Sequence, residues 1–284
     1  MVILSHYNLL AHENEKLEDH LLKVAKGISI FTKNRAEIAL GVLHDIGKVS
    51  KKFQRKIRGE KNRFRHPIAA LPIAKYILED VIGVDKKSIK VYLTTIYYHH
   101  NSLNMDMILK DIETLMYGRK DKRDIVLDEN EQKQAIQIIK ALFKKCKEMR
   151  SYTSKIDYAR YRRSYSNRYT KIILNTLIEI KEWLDEGLDT KEKMLLAEVY
   201  EHLVEADWKS TSKIISSEKK NYRWVDKSLE KIKKLPKRSK IDGIRQMVKR
   251  ELLKPTNLNK NIVMLSAPTG SGKTEAALAW DCQR

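Results

Sequence analysis

The sequence predicts a helical bundle over most of its length, followed by the opening of an α/β nucleotide-binding fold. Three observations carry this. Ten glycines and five prolines are few for 284 residues, while Leu, Ile, Lys and Glu recur at helical spacing. Apolar residues return every three to four positions in one stretch after another. Near the C-terminus the pattern changes, in NIVMLSAPTGSGKTEAALAW, to a β-prone apolar run, a glycine loop and a helical run.

Taken in order, residues 17–30, 35–46, 67–82 and 88–100 each carry the three-to-four apolar period and predict four helices. A strongly basic connector, 48–65, separates the second from the third. Longer helical stretches follow near 130–149, 166–186 and 190–208. No internal repeat is present. From about 209 to 240 the chain turns lysine-rich and loses its apolar face, and Pro236 and Pro255 bracket a further short helical pattern. The domain boundary is expected there, with one domain over 1–235 and a linker plus the start of the α/β domain over 236–284.

The charge balance narrows the partners. With 57 Lys+Arg against 37 Asp+Glu the formal net charge is +20, an excess that points first to nucleic acid and second to an acidic membrane surface. No window approaches the roughly 18 to 20 apolar residues that cross a bilayer, and residues 1–19 lack the pattern of a cleaved leader, so a cytoplasmic protein with no membrane partner is expected. Cys146 and Cys282 are far apart and neither has a CxxC partner, which suggests neither a disulfide framework nor a thiolate zinc site. Any metal must rest on His and Asp.

Several such residues fall on core-facing stripes, where a polar group is costly unless something satisfies it. His20 sits three after Leu17 and four before Val24. Asp45 is seven after Ile38 and three after Val42, so His44 and Asp45 close the buried edge of their helix. His99 and His100 follow Tyr92, Leu93 and Ile96, and Asp207 is four after Leu203 and eight after Val199. One inward histidine is more often a hydrogen-bonded core residue than a ligand. Four helices pointing imidazoles or carboxylates inward change that balance, because divalent ions satisfy such groups together, with Asp45 as the natural bridge. His66 precedes Pro67, which fits the first helical position, so His66 is expected at the N-cap. His6, near the chain start, and His202, on the exposed side of its helix, are expected to have no ligand role, and His12 is open.

His20, then His44-Asp45 within HDIGK, then His66, His99-His100, and Asp207 within ADWKS together resemble the HD nuclease domain of the CRISPR-associated helicase-nuclease of type I interference systems. The likeness spans roughly residues 12–212, and the adjacent His99-His100 pair favours this branch over generic HD phosphohydrolases. It implies an all-α HD-domain bundle followed by a RecA-like helicase domain. It also implies one ion held by His20, His44, Asp45 and Asp207, and a second by Asp45, His66, His99 and His100. Manganese, iron, nickel or cobalt suit such ligands, with zinc or magnesium also compatible. Lys48 of HDIGK is then placed beside the scissile phosphate, and Asp45 and Lys48 are the catalytic residues. Single-stranded DNA is the implied substrate, and a CRISPR surveillance complex and the rest of the helicase are the implied partners. Without the family pattern, Lys48 reads equally as a solvated helix-end lysine.

Substrate contacts are expected from the basic connector and from residues 140–171, where Tyr152, Tyr158, Tyr161, Tyr165 and Tyr169 alternate with Arg150, Lys155, Arg160, Arg162, Arg163 and Arg168. Interleaved rings and cations track phosphates and stack unpaired bases. The competing reading is an amphipathic helix that packs at least two of the five tyrosines on the core.

Residues 267–274 read APTGSGKT, a phosphate-binding loop in the form superfamily 2 helicases commonly show. The amides around Gly270 and Gly272 are expected to cradle phosphates, Lys273 to reach the β and γ groups, and Thr274 to ligate magnesium. Gln246 resembles the adenine-reading glutamine of such helicases. The sequence ends at Arg284, before an acidic motif or second motor lobe, so ATP and magnesium are expected to matter only in a complete helicase, and this chain to be a fragment or split product. Three functions stand at this point: a metal-dependent DNA nuclease, an HD phosphohydrolase acting on nucleotides or cyclic nucleotides, and a non-catalytic nucleic-acid-binding module.

Overall fold

The structure, a computed structural model, describes residues 9–211 apart from 62, 102 and 119–124, together with 247, 248, 250, 251 and 254. By its contacts the chain divides into units 1–215 and 216–284. The bundle belongs to the first, and the boundary expected at 235/236 lies outside the described residues.

A two-stranded antiparallel hairpin, β1 (Leu10–His12) and β2 (Glu15–Lys16), opens the described chain. It feeds directly into α1 (Leu17–Phe31), whose buried Leu17, His20, Leu21, Val24, Ala25 and Ile28 form one stripe. α2 (Arg35–Leu43) starts where the Asn34 side chain accepts a hydrogen bond from the Ala36 amide, and it is buried on every side from Ala36 to Leu43. A helix apolar all round belongs in the interior. A 3₁₀ turn (Ile46–Val49) follows, then α3 (Lys51–Ile57), capped by Ser50.

α4 (His66–Tyr76) is as deeply buried as α2, with Ile68 to Ala74 and Tyr76 enclosed, and it runs into a π-helical turn (Ile77–Ile82). Gly83 ends that turn in the left-handed region, φ 86°. α5 (Lys86–Tyr98) begins under an Asp85 side chain that accepts from the Lys87 and Ser88 amides. The outer layer comprises α6 (Met105–Tyr117), α7 (Glu129–Lys145), a 3₁₀ segment (Lys147–Lys155), α8 (Tyr158–Ser164), α9 (Tyr169–Asp185) and α10 (Thr190–Thr211). α7 opens with a capping box between Asp128 and Glu131.

Within the bundle α1 lies between α2 and α10, and α4 packs on α5 and α9. Two α1–α2 and turn–helix approaches depend on glycine. A Cβ on Gly41 would lie 2.4 Å from the Ala25 amide nitrogen, and one on Gly47 would lie 2.2 Å from the His66 carbonyl oxygen. Only glycine lets these backbones close to that distance. None of the described helices is long and apolar enough to cross a membrane.

The seven expected helices are present with shifted ends. The second stops at Leu43 and the fourth at Tyr98, so His44, Asp45, His99 and His100 sit just past helix ends. The stretch near 130–149 is helical to Lys145 and then 3₁₀. His66 is not the N-cap: Arg65 holds that position and His66 is the first helical residue, with Pro67 tolerated in a first turn whose amides need no intrahelical partner. The hairpin, α3, α6 and α8 were outside the sequence expectation.

Candidate metal centre

Five elements deliver the histidines and aspartates to one point. α1 brings His20, the end of α2 brings His44 and Asp45, α4 brings His66, the end of α5 brings His99 and His100, and α10 brings Asp207. All seven expected ligands converge. Asp45 stands at the centre, and its two oxygens face different groups. Oδ2 is 3.3 Å from His20 Nε2 and 3.4 Å from His44 Nε2. Oδ1 is 2.9 Å from His66 Nε2, 3.4 Å from His99 Nε2 and 3.9 Å from His100 Nε2. Asp207 Oδ1 joins the first group, 3.2 Å from His20 Nε2 and 3.8 Å from His44 Nε2.

These atoms fit divalent ions. His20 Nε2, His44 Nε2 and His99 Nε2 are buried and make no hydrogen bond, and they surround an Asp45 carboxylate that is itself buried with Lys48 against one oxygen, a costly cluster of polar atoms that a divalent cation would satisfy. The ligand atoms of Asp45, His66, His99 and His100 lie within 4.8 Å of one another, as do those of His20, His44 and Asp207. Neutral imidazole and carboxylate oxygen are the donors divalent transition metals prefer.

The other ring nitrogens are fixed by the fold. His44 Nδ1 lies 3.1 Å from the Gly41 carbonyl and His99 Nδ1 lies 2.6 Å from the Ile96 carbonyl. A carbonyl can only accept, so both Nδ1 atoms carry a hydrogen and both Nε2 atoms turn inward as the nitrogens available to an ion. This follows from each histidine standing three residues after its carbonyl at a helix end. His20 Nδ1 lies 3.3 Å from Glu15 Oε2 and 3.1 Å from Ser210 Oγ.

Electrostatics divides the two groups. Burial disfavours a charged His44, but Asp45 and Asp207 outweigh it and push its pKa up to about 9. Burial likewise works against ionised Asp45, yet Lys48, His44 and His66 hold its carboxyl well below the usual range. On the other side burial dominates and lowers His66 to about 4 and His100 to about 3, with the neighbouring His99 adding to the effect at His100. Those two imidazoles present lone pairs at neutral pH.

Lys48 is not a solvated lysine. Its side chain is 3% exposed, and Nζ lies 2.6 Å from Asp45 Oδ2 and donates to the Ala11 carbonyl at 3.3 Å. The 3₁₀ turn that carries it is clamped by Gln54, whose Nε2 donates to the Lys48 carbonyl at 2.8 Å and to the Leu10 carbonyl at 2.9 Å. The Leu10 amide donates back to Gln54 Oε1 at 2.9 Å. Gln54 thus ties the hairpin to the turn, a role that becomes visible only when these segments meet in space.

Other sequence expectations fare differently. Tyr161, Tyr165 and Tyr169 are buried and Tyr152 and Tyr158 only partly exposed. The stripe is therefore mainly core: Tyr76, Tyr161 and Tyr165 form a ring cluster, and Tyr161 donates to Gln132 Oε1 at 3.1 Å. The intervening Arg150, Lys155, Arg160, Arg162, Arg163 and Arg168 do reach the surface. His202 is not on an exposed face, because that side of α10 lies on α2; its Nδ1 is 2.8 Å from Glu37 Oε2 and its ring stacks on Phe31. His12 is exposed on β1 with its ring edge-on to His20. Gln246, Gly270, Gly272, Lys273, Thr274 and His6 lie outside the described residues.

Fold and constellation together define a helical domain with a His/Asp centre able to hold divalent metal. No family model matches the sequence, and no curated protein does. Among solved structures, a similar chain is the CRISPR-associated Cas3 HD domain protein from Methanocaldococcus jannaschii, with 19% identity and a TM-score of 0.42 over 70% of this chain and 98% of that one.

Proposed function

We propose that this chain is a metal-dependent nuclease of the HD type that cleaves single-stranded DNA, acting in type I CRISPR interference with a surveillance complex and the remaining helicase portion. The observation that carries the hydrolase reading is Asp45, whose two oxygens face two separate sets of imidazoles. His20, His44, Asp45 and Asp207 would hold one divalent ion, and Asp45, His66, His99 and His100 a second, with manganese, iron, nickel or cobalt favoured. Such ions supply Lewis acidity toward a phosphoryl oxygen and acidify water, so hydrolysis needs no nucleophilic side chain. Lys48 contributes a compact, dehydrated cation beside that centre, suited to developing charge on a phosphate. His66 and His100, neutral at working pH, keep their lone pairs available without first losing a proton. The DNA and CRISPR parts rest on the sequence resemblance and on the basic surface.

The test is cleavage of circular single-stranded DNA by metal-stripped protein resupplied separately with Mn, Ni, Co, Fe, Zn or Mg, beside Asp45→Ala. Cleavage restored by a transition metal and lost in the variant supports the reading. Turnover of nucleotides or cyclic nucleotides with intact DNA would move it to a phosphohydrolase. Metal bound without any turnover would leave a nucleic-acid-binding module.

A further inference from the structure

The hairpin brings one carboxylate to the outer edge of the first ligand set. Glu15 Oε2 lies 3.3 Å from His20 Nδ1 while Glu15 Oε1 accepts from Lys23 Nζ at 2.5 Å, so the carboxylate is held from both oxygens. Glu15 is mostly buried, its side chain 15% exposed, and His20 is fully buried. A second oxygen, Ser210 Oγ, stands 3.1 Å from the same nitrogen, but Ser210 spends its hydrogen on the Asp207 carbonyl at 2.7 Å and so can only accept. Both neighbours of His20 Nδ1 are therefore acceptors. A hydrogen must sit on Nδ1, which leaves Nε2, facing Asp45 and Asp207, as the nitrogen that can give up its hydrogen to an ion.

His44 and His99 are oriented by neutral carbonyls; His20 has an ionic partner. A carboxylate on the far nitrogen makes the ligating nitrogen more basic and holds the ring's rotation, and loss of such a partner commonly costs about 10–100-fold in metal affinity. We infer that Glu15 is the positioning residue of the first ion site, fixing the tautomer and orientation of His20 and strengthening it as a ligand, while Lys23 fixes Glu15. This rests on the metal-centre reading above. The ligand-type atoms of His12, Glu15 and His20 also lie within 4.8 Å of one another. A third ion there would require His20 to bind through both nitrogens as an imidazolate, which the two acceptors at Nδ1 oppose.

The experiment is a Mn(II) binding isotherm on the full, metal-stripped chain, read from the free Mn(II) electron paramagnetic resonance signal, for wild type, Glu15→Ala, Glu15→Gln, Ser210→Ala and His12→Ala. Nitrogen-15 spectra of the histidines in the metal-free proteins, taken at a pH where the His20 ring is neutral, report its tautomer. Glu15→Ala should weaken one Mn(II) class by about 10–100-fold, leave the other unchanged, and mix the His20 tautomers. Glu15→Gln, which keeps an oxygen acceptor without the charge, should restore the single tautomer and part of the affinity, and stands in if the alanine variant does not fold. Ser210→Ala should shift binding less than Glu15→Ala. Unchanged binding in Glu15→Ala, equal weakening of both classes, or a larger loss in Ser210→Ala overturns the inference. So does a third Mn(II) per chain that disappears in both Glu15→Ala and His12→Ala. Wild-type protein that binds no Mn(II) would sink the metal centre itself, whereas two bound ions with no DNA cleavage would sink only the nuclease.

Discussion

Lys48 and His44 both favour an ionised Asp45, but they meet an incoming metal ion differently. The lysine ammonium lies 2.6 Å from Oδ2 and competes with any ion for that oxygen. Replacing it with alanine should therefore leave Mn(II) affinity unchanged or raised while kcat falls about 10²–10³-fold, the usual cost of removing one preorganised charge-stabilising group. Steady-state kinetics beside a binding isotherm separates the two effects. His44, pushed up to about 9, carries a proton at neutral pH that an ion must displace. Mn(II) binding at pH 7 should release a proton that is no longer released well above pH 9, measurable by calorimetry in buffers of different ionisation enthalpy. The sign for the metal-free fold follows from the same values. A group raised from 6.5 to about 9 stabilises fully below 6.5 and loses that contribution as pH rises through 9. His66 and His100, lowered to about 4 and about 3, work the other way: their contribution is present above 6.5 and is lost as pH falls through 4 and then 3.

Where elements touch, two glycines set the site's dimensions. A methyl group on Gly47 would strike the His66 carbonyl, so Gly47→Ala must part the HDIGK turn from the start of α4. The expected result is loss of the Mn(II) class that uses His66, with destabilisation at or above the about 1–3 kcal/mol typical of overpacking, since the obstacle is backbone. Chemical denaturation with parallel Mn(II) binding would check it. Helix identity was legible in most clean apolar stripes, as in α1. α6 was missed although its period is as clear as that of α1; its buried face includes Asp111 while Leu109, Met116 and Tyr117 are exposed. Asp111 is buried because it accepts from Arg65 and, at 2.5 Å, from Tyr97, a partnership formed only by the fold. Six of the seven ligands could be read from the chain as polar residues on apolar stripes, and His66 entered as a ligand only through the family resemblance, whereas Glu15 and Gln54, which act from a short hairpin and a short helix, could not be read at all. The ends of α2 and α5 were misplaced because the residues past them continue the apolar rhythm without continuing the helix.

For the molecule as a whole, the formal charge of +20 sets how nucleic acid should bind. Affinity for single-stranded DNA should fall linearly on a log–log salt plot, with a slope of about −0.7 per phosphate neutralised, and Asp45→Ala should leave that line nearly intact. Fluorescence anisotropy across a salt series would establish both. The buried tyrosines should not contribute to the line: Tyr161→Ala removes a fully buried ring and should cost about 3–5 kcal/mol of stability while folded protein keeps its DNA affinity. One more property follows from where the first ligand set comes from. His20 lies near the beginning of the bundle and Asp207 near its end, so an ion shared between them acts as a clasp across almost the entire chain of the domain. Its stabilising effect grows with ion concentration, and it is withdrawn all at once by a chelator. Hydrogen exchange after chelation should then quicken in α1 and α10 together, before it quickens in the enclosed α2 and α4, because the helices that close the bundle are the ones the ion fastens.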